Sequence, residues 1–351
     1  MQVDRKALLE KLQTSMIGAE RGEFQNNSFS FKEGYVHAFK DFVAVSIFLG
    51  ETFKFLKGSI RAAEFYSLLT KYTEDTVDIE VTEAGVDIMC GRSKATFAYQ
   101  EDAVLKQVEK MDMEALSWEP VSEDFRAALN FCLLGLREYA LEGVRVKDKT
   151  VLSVDSKRLN FFVMKDPMGD FLIEEKVVTE LLKFDNMTAV AHSQTRLFLK
   201  LPDGTIVSGR KKMDTDYPFD KILSTVVAME KVEEDPQGVL PSSFKQMIGR
   251  ANVLSIEYGG MELLKITFSK EGIECESQRA IGKYFEKIEW KDPPKGMDTP
   301  IQVTLESSST VYALERSKEI YLKEYQGFRR LVFVGPNSKC FLAAYTIEDT
   351  K

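Results

Sequence analysis

The sequence predicts an α+β protein built from three similar units, and three observations predict it. Helical stretches with apolar residues at helical spacing begin near Leu8, Ala128 and Met247, 120 and 119 residues apart in a chain of 351. Each is followed by alternating or β-branched sequence, then a second helical stretch, then strand-like runs divided by turn residues. The composition, 44% hydrophobic and 29% charged, supplies apolar surface for two or three packed cores, and no low-complexity tract interrupts it. The expected domains are 1–118, 119–224 and 225–351. Linkers are expected at 111–120 and at 224–241, where Glu233-Glu234-Asp235-Pro236 breaks the pattern.

The elements follow in order. Asp4 reads as the N-cap of a first helix whose Leu8, Leu9, Leu12 and Met16 share one face and which runs toward Gly18. A second starts near Ser122, with Phe125, Ala128, Leu129, Cys132, Leu133 and Leu136 inward and Arg126, Asn130 and Arg137 opposite. A third opens at Pro241-Ser242-Ser243 and turns Phe244, Met247, Ile248 and Ala251 inward, leaving Lys245 and Arg250 on the other arc. Further helices are expected at 60–72, 174–184 and 306–316. Strands alternate at Val77-Ile79-Val81 and Val86-Ile88 around Glu83-Ala84-Gly85. Others are expected at 144–153, 157–164, 188–201, 264–268, 273–277, 284–290, 320–323, 330–334 and 341–347, with turns at Pro202-Asp203-Gly204 and Gly335-Pro336-Asn337.

Counting removes several function classes. Cys90, Cys132, Cys275 and Cys340 form no C-x-x-C pair, so they read as reduced core thiols. His37 and His192 are the only histidines, too few for a site built on several imidazoles. The sequence has no nucleophile elbow, Walker A or dinucleotide fingerprint, and most of its 55 acidic residues are expected on solvated surface. No catalytic residue, metal or cofactor is therefore expected. No apolar run approaches the roughly 18 residues of a membrane helix, and the first residues lack a secretory core, so a cytoplasmic, membrane-free protein is expected. A net charge of −8 excludes a broadly basic surface but allows cations gathered in one cleft or hole.

Several strings then converge on one family: Gly91-Arg92-Ser93, the run from Val154 through Asp155, Ser156, Lys157 and Arg158 to Leu159, the Tyr139, Leu141, Gly143 spacing, Tyr217-Pro218, and Arg250, Ala251, Leu254, Ser255. With them the chain resembles the bacterial-type DNA sliding clamp, the beta subunit of DNA polymerase III, in a divergent, phage-encoded version. The family patterns they match are G-R-S, T-D-G-H-R-L (three of six positions), Y-x-L-x-G and R-A-x-x-L-S, in order along the whole chain.

The resemblance implies three domains of the DNA clamp fold, each with two helices and antiparallel strands, assembled as a homodimer into a closed ring with the helices lining the hole. It implies a non-catalytic processivity factor whose partners are double-stranded DNA, the replicative DNA polymerase, a separate clamp loader and a second copy of the chain. DNA would be met by Lys6, Lys11, Arg21, Arg126, Arg137, Lys245 and Arg250. A peptide pocket would use Leu141, Val154, Arg158, Leu159, Pro218, Ile222, Leu223, Leu342, Ala344, Tyr345 and Ile347. Phe97 would meet Val253 and Leu254 of the second copy. The alternatives are a clamp-like module that forms no ring, a metal-dependent nuclease using clustered carboxylates, and a phage structural β-protein.

Overall fold

A computed structural model describes the chain except for residues 20–26, 112, 134–142, 156, 214–216, 232–234, 236, 259–260, 294–296, 316, 326 and 346–351. Eight α-helices are described: α1 (Arg5–Ala19), α2 (Ala62–Lys71), α3 (Ala103–Glu109), α4 (Phe125–Leu133), α5 (Glu175–Leu181), α6 (Phe219–Ala228), α7 (Ser243–Ala251) and α8 (Ser307–Ala313). The chain forms two compact units, residues 1–121 with 176–213 and residues 122–175 with 214–351.

The first unit holds a four-stranded and an eight-stranded antiparallel sheet. The smaller runs in spatial order Gln2–Asp4, Thr76–Val81, Gly85–Cys90, Ser93–Ala98. Gly91 takes φ +58° in the two-residue turn joining the last two strands, so the Gly91-Arg92-Ser93 string is turn chemistry here. The larger sheet runs Gly58–Arg61, Ser28–Lys32, Tyr35–Lys40, Val43–Phe48, Ile206–Arg210, Arg196–Lys200, Ala189–His192, Glu119–Pro120. Its first four strands come from the first third of the chain, its last four from the middle third.

Helix α1 packs on α2 and on the strands at 35–40 and 43–48. The Asp4 carboxylate accepts from the Ala7 amide at 2.9 Å, as an N-cap does. Leu8 and Leu12 are buried, but so are Ser15, Gly18 and Ala19, while Leu9 and Met16 are half-buried. Gly18 explains the shift, because a Cβ there would stand 2.8 Å from the Ala38 carbonyl oxygen. The helix approaches the strand closest at its small residues. The unit's aromatic core runs through Phe29, Phe31, Phe65 and Phe97, with ring centroids 5.3 to 6.4 Å apart.

The second unit repeats the plan. Its eight-stranded sheet runs Asp170–Ile173, Val144–Lys147, Thr150–Val154, Arg158–Val163, Ser338–Ala343, Phe328–Val334, Glu319–Tyr325, Gln237–Val239. A five-stranded sheet runs Ile256–Tyr258, Met261–Ser269, Gly272–Arg279, Gly282–Ile288, with Ile301–Glu306 also paired to 261–269. On α7 the four inward residues, Phe244, Met247, Ile248 and Ala251, are fully buried, and the Phe244 ring meets Phe268 at 6.1 Å. All four cysteines are free, buried thiols.

Two helices occupy or adjoin segments expected as linkers. Asp102 caps α3 through the Leu105 amide and also accepts from the Ser30 and Ser59 hydroxyls at 3.0 and 2.7 Å, while Val104 and Val108 bury the helix's one apolar stripe. Helix α6 crosses the expected boundary at 224/225, because Phe219, Ile222, Val226 and Met229 recur at 3-4-3 spacing and all are buried.

His37, on the strand at 35–40, is buried, with its Nδ1 2.8 Å from the Ser46 hydroxyl and its ring stacked 5.9 Å from Tyr35. Burial, with Lys32 adding to it, pushes its pKa down from 6.5 to about 4. The unfolded chain therefore binds more protons between those values. The stability due to neutral His37 is complete above pH 6.5 and is lost as pH falls toward 4, by about 3 kcal/mol. Urea melts at pH 7.5, 6.0 and 4.5 should show that loss in the wild type and a flatter profile in His37→Gln.

Candidate nucleic-acid and partner-docking interface

Of the seven cations expected to meet DNA, Arg21 and Arg137 lie outside the described residues. Arg126 is exposed on α4. Lys6 stands 3.0 Å from the Asp75 carboxylate, both side chains well exposed. Lys245 of α7 reaches Glu315, just past α8, at 3.4 Å. Arg250 makes a two-toothed contact with Glu286, Nε to Oε2 at 2.9 Å and NH2 to Oε1 at 2.6 Å, and this bond holds the Glu286 carboxyl below its usual range. Lys11 departs from the expectation. Its ammonium is drawn back to the carbonyls of Phe48 and Leu49 at 2.8 and 3.1 Å, tying α1 to the end of a strand instead of extending outward.

The expected peptide pocket falls in the second unit, apart from Leu141 and Ile347, which lie outside the described residues. Sheet register sorts the remainder between two faces. Val154 is paired with Leu159 and Leu159 with Phe341, so these three side chains share a face. Helix α6 covers it: Phe219, Ile222, Val226 and Met229 cluster with Leu152, Leu159, Tyr321, Val332 and Phe341, and Val154 and Leu223 pack at the margin. Pro218 sits at the N-cap position of α6. Lys147 lies 4.9 Å over the Phe219 ring and 3.3 Å from Asp220, adding a polar rim.

Arg158 and Leu342 are opposite each other in the register and belong to the other face. Arg158 is only 8% exposed. Its NH1 donates to Ser309 of α8 at 2.8 Å, and its Nε and NH2 lie 2.7 and 2.6 Å from Asp155 Oδ2. The other oxygen of Asp155 accepts from the amides of Lys157 and Arg158 at 2.7 and 2.6 Å. This corrects the reading of the Val154 to Leu159 string. Its Asp and Arg build a turn and anchor a helix, and only Val154 and Leu159 face α6. Ala344 and Tyr345 follow the last strand, which ends at Ala343, with the Lys157 ammonium 4.7 Å over the Tyr345 ring.

Two exposed sheet edges complete the surface. Ser93–Ala98 is an edge of the four-stranded sheet and Gly282–Ile288 an edge of the five-stranded one. Phe97 is half-buried and packs inward on Phe65 at 5.3 Å, so within the chain it is core. Leu254 is half-buried beside Gly282, whereas Val253 is 71% exposed. Phe285, 60% exposed, and Ile281 extend this apolar ground and were not expected from the sequence. The available signal was Phe285 standing between Lys283 and Lys287 on the polar parity of its strand. Among the described residues no group of three or more His, Cys, Asp or Glu side chains could hold a metal ion.

Neither a protein-family model nor a curated protein matches the chain significantly. Solved structures match it end to end. The DNA polymerase sliding clamp of Bacillus subtilis superposes with a TM-score of 0.77 at 17% identity, covering 99% of both chains. The Helicobacter pylori beta clamp bound to a DNA ligase peptide gives 0.78 at 12% identity, over 99% of this chain and 100% of that one. The clamp of Pseudomonas aeruginosa gives 0.77 at 12%, over 99% of each. The chain thus has a three-domain DNA clamp fold. Within that class its fold is the one seen in bacterial DNA polymerase III beta clamps.

Replacing Asp155 by Ala takes from the buried Arg158 guanidinium the carboxylate that meets its Nε and NH2. The expected loss of stability is about 3 to 5 kcal/mol in urea melts, far more than an exposed ion pair such as Lys6–Asp75 would cost.

Proposed function

We propose that this protein is a DNA polymerase processivity factor: two copies join head to tail into a ring around duplex DNA and tether the replicative polymerase and other replication proteins. The observation that carries the reading is the end-to-end correspondence with bacterial sliding clamps, 99% of both chains at a TM-score of 0.77. The chain itself performs no chemistry. A separate ATP-driven loader opens the ring, and the protein works in the cytoplasm. Its docking surface is the margin of the cluster that α6 forms on the second eight-stranded sheet, where the half-buried Val154, Pro218 and Leu223, backed by the buried Leu159 and Ile222, and with them Ala344 and Tyr345, would offer apolar contacts to a short peptide segment. The ligase peptide held by the Helicobacter pylori clamp is a ligand of that kind.

Ring closure follows from the two edges. An unpaired strand edge with exposed apolar side chains favours association, and the edge at 93–98 in one copy can add to the edge at 282–288 in the other. Phe285, Ile281 and Val253 are then covered. Light scattering after size exclusion should give the mass of two chains, falling to one in Phe285→Asp. A wild-type monomer at every concentration would instead favour a clamp-like module that forms no ring. On nicked circular plasmid the loaded protein should be retained, and it should be released when the plasmid is cut once.

DNA contact is expected to be weak, since Lys6, Lys245 and Arg250 each face a carboxylate that phosphate must displace. Glu315→Gln releases Lys245. It should tighten binding to a labelled duplex by roughly two- to fivefold at low salt, as measured by fluorescence anisotropy, with the gain shrinking as salt rises.

A further inference from the structure

The two eight-stranded sheets share a plan. In each, four strands from one third of the chain meet four from the next, and a helix from the segment between those thirds packs on the sheet, α3 on the strands at 28–32 and 35–40 of the first and α6 on the second. The chemistry beside the two helices differs. Around α6 the contacts are apolar, while beside α3 the first unit has a pocket of about 450 Å³ walled by Phe39, Gln107, Lys110, Met111, Thr195 and Arg196.

Arg196 is the unusual member. It is only 7% exposed, and its guanidinium lies 5.6 Å over the Phe39 ring. Nε donates to the Ser208 hydroxyl at 3.1 Å and NH1 to the Asp41 carbonyl at 3.3 Å, with NH2 at the outer limit of bonding to the Ser208 carbonyl, 3.5 Å away. Each of these acceptors is neutral. The nearby Asp41 carboxylate is bound by Arg210 at 2.9 Å, so two guanidiniums share one negative charge. Burial, with Arg210 adding to it, lowers the Arg196 pKa to about 10, which leaves it charged at neutral pH. Lys110 stands exposed on the rim, and among the described residues it makes no ion pair. A buried cation that only shares a counter-charge is costly, and an incoming anion lowers that cost. With five N–H donors, three of them directed at neutral oxygens, the guanidinium retains donors for such a ligand.

We infer that this pocket is a second docking site, which takes a carboxylate flanked by an apolar group, as an acidic residue beside a hydrophobic one in a partner peptide presents them. The planar fork of Arg196 matches a carboxylate, Lys110 adds long-range attraction, and Phe39 and Met111 form the wall on which the apolar neighbour rests. The Ser208 hydroxyl, itself directed at the Met111 sulfur at 3.7 Å, fixes the guanidinium plane. The inference stands on Arg196 and the shared sheet plan, and neither ring closure nor DNA is needed to test it.

The test is a ligand-observed NMR titration of the full chain with 3-phenylpropionate, its neutral isostere 3-phenylpropionamide, and inorganic phosphate. The acid should bind at about millimolar concentration and the amide about tenfold more weakly. Lys110→Ala should weaken the acid severalfold and Arg196→Met should abolish its binding, with thermal melts reporting whether each variant folds. No binding of the acid, equal binding of the amide, or wild-type binding by Lys110→Ala overturns the proposal, even if Arg196→Met proves unstable. Phosphate that displaces the acid at equal or lower concentration also overturns it, because the pocket would then be a site for a free oxyanion.

Discussion

The structure depends on two strand pairings that carry a sheet from one third of the chain into the next: Val43–Phe48 with Ile206–Arg210, and Arg158–Val163 with Ser338–Ala343. A four-stranded sheet ends in rows of unpaired amides and carbonyls, and joining two such sheets edge to edge satisfies one row of each. The middle third gives one half of its strands to each neighbour. That is why each compact unit contains part of the middle third, with the division falling between Glu175 and Lys176, inside α5. Domains defined by sequence repeat and units defined by contact differ here for a physical reason: backbone ladders cross the repeat boundaries.

The same pairing explains what the sequence could reveal. Repeat spacing and helix faces were legible because they are local. Phe244, Met247, Ile248 and Ala251 show their 3.6-residue period directly, and all four are buried. Helix α6 was also legible in principle through its 3-4-3 apolar spacing, but the linker expected around the Glu233-Glu234-Asp235-Pro236 break starts at Ser224, inside the helix. The proposed docking face was harder. Successive strand residues point to opposite sides, so Arg158 and Leu159 adjoin in sequence yet serve a helix anchor and an apolar surface respectively. A string match cannot separate them, whereas the register Leu159 to Phe341 does at once. For Lys11, nothing local in the sequence announces that the carbonyls of Phe48 and Leu49 lie within reach of its ammonium.

Charge placement gives the clamp reading its physical content. A ring held by topology needs no strong grip, and strong phosphate contacts would impede sliding. Pairing Lys245 with Glu315 and Arg250 with Glu286 leaves cations available while lowering the gain from any single phosphate contact. On the proposed function an acidic chain is then compatible with enclosing DNA, because retention would come from closure of the ring and the helix faces would need only to avoid net repulsion along the path.

The two eight-stranded sheets sharpen the contrast between scaffold and site. Their strand orders correspond position by position, so backbone architecture alone does not distinguish them. What differs is the chemistry beside the connecting helix: Leu159, Ile222 and Phe341 near α6, against Arg196, Lys110 and Gln107 near α3. An apolar cluster is what packing a helix on a sheet requires, and the docking proposed near α6 uses only its margin. A guanidinium buried beside α3, bonded only to neutral oxygens and sharing the Asp41 charge with Arg210, works against stability, since an apolar side chain of similar volume would pack there at lower cost. The departure from the packing solution, between two copies of one plan, therefore marks the α3 junction as the place where this chain has traded stability for recognition.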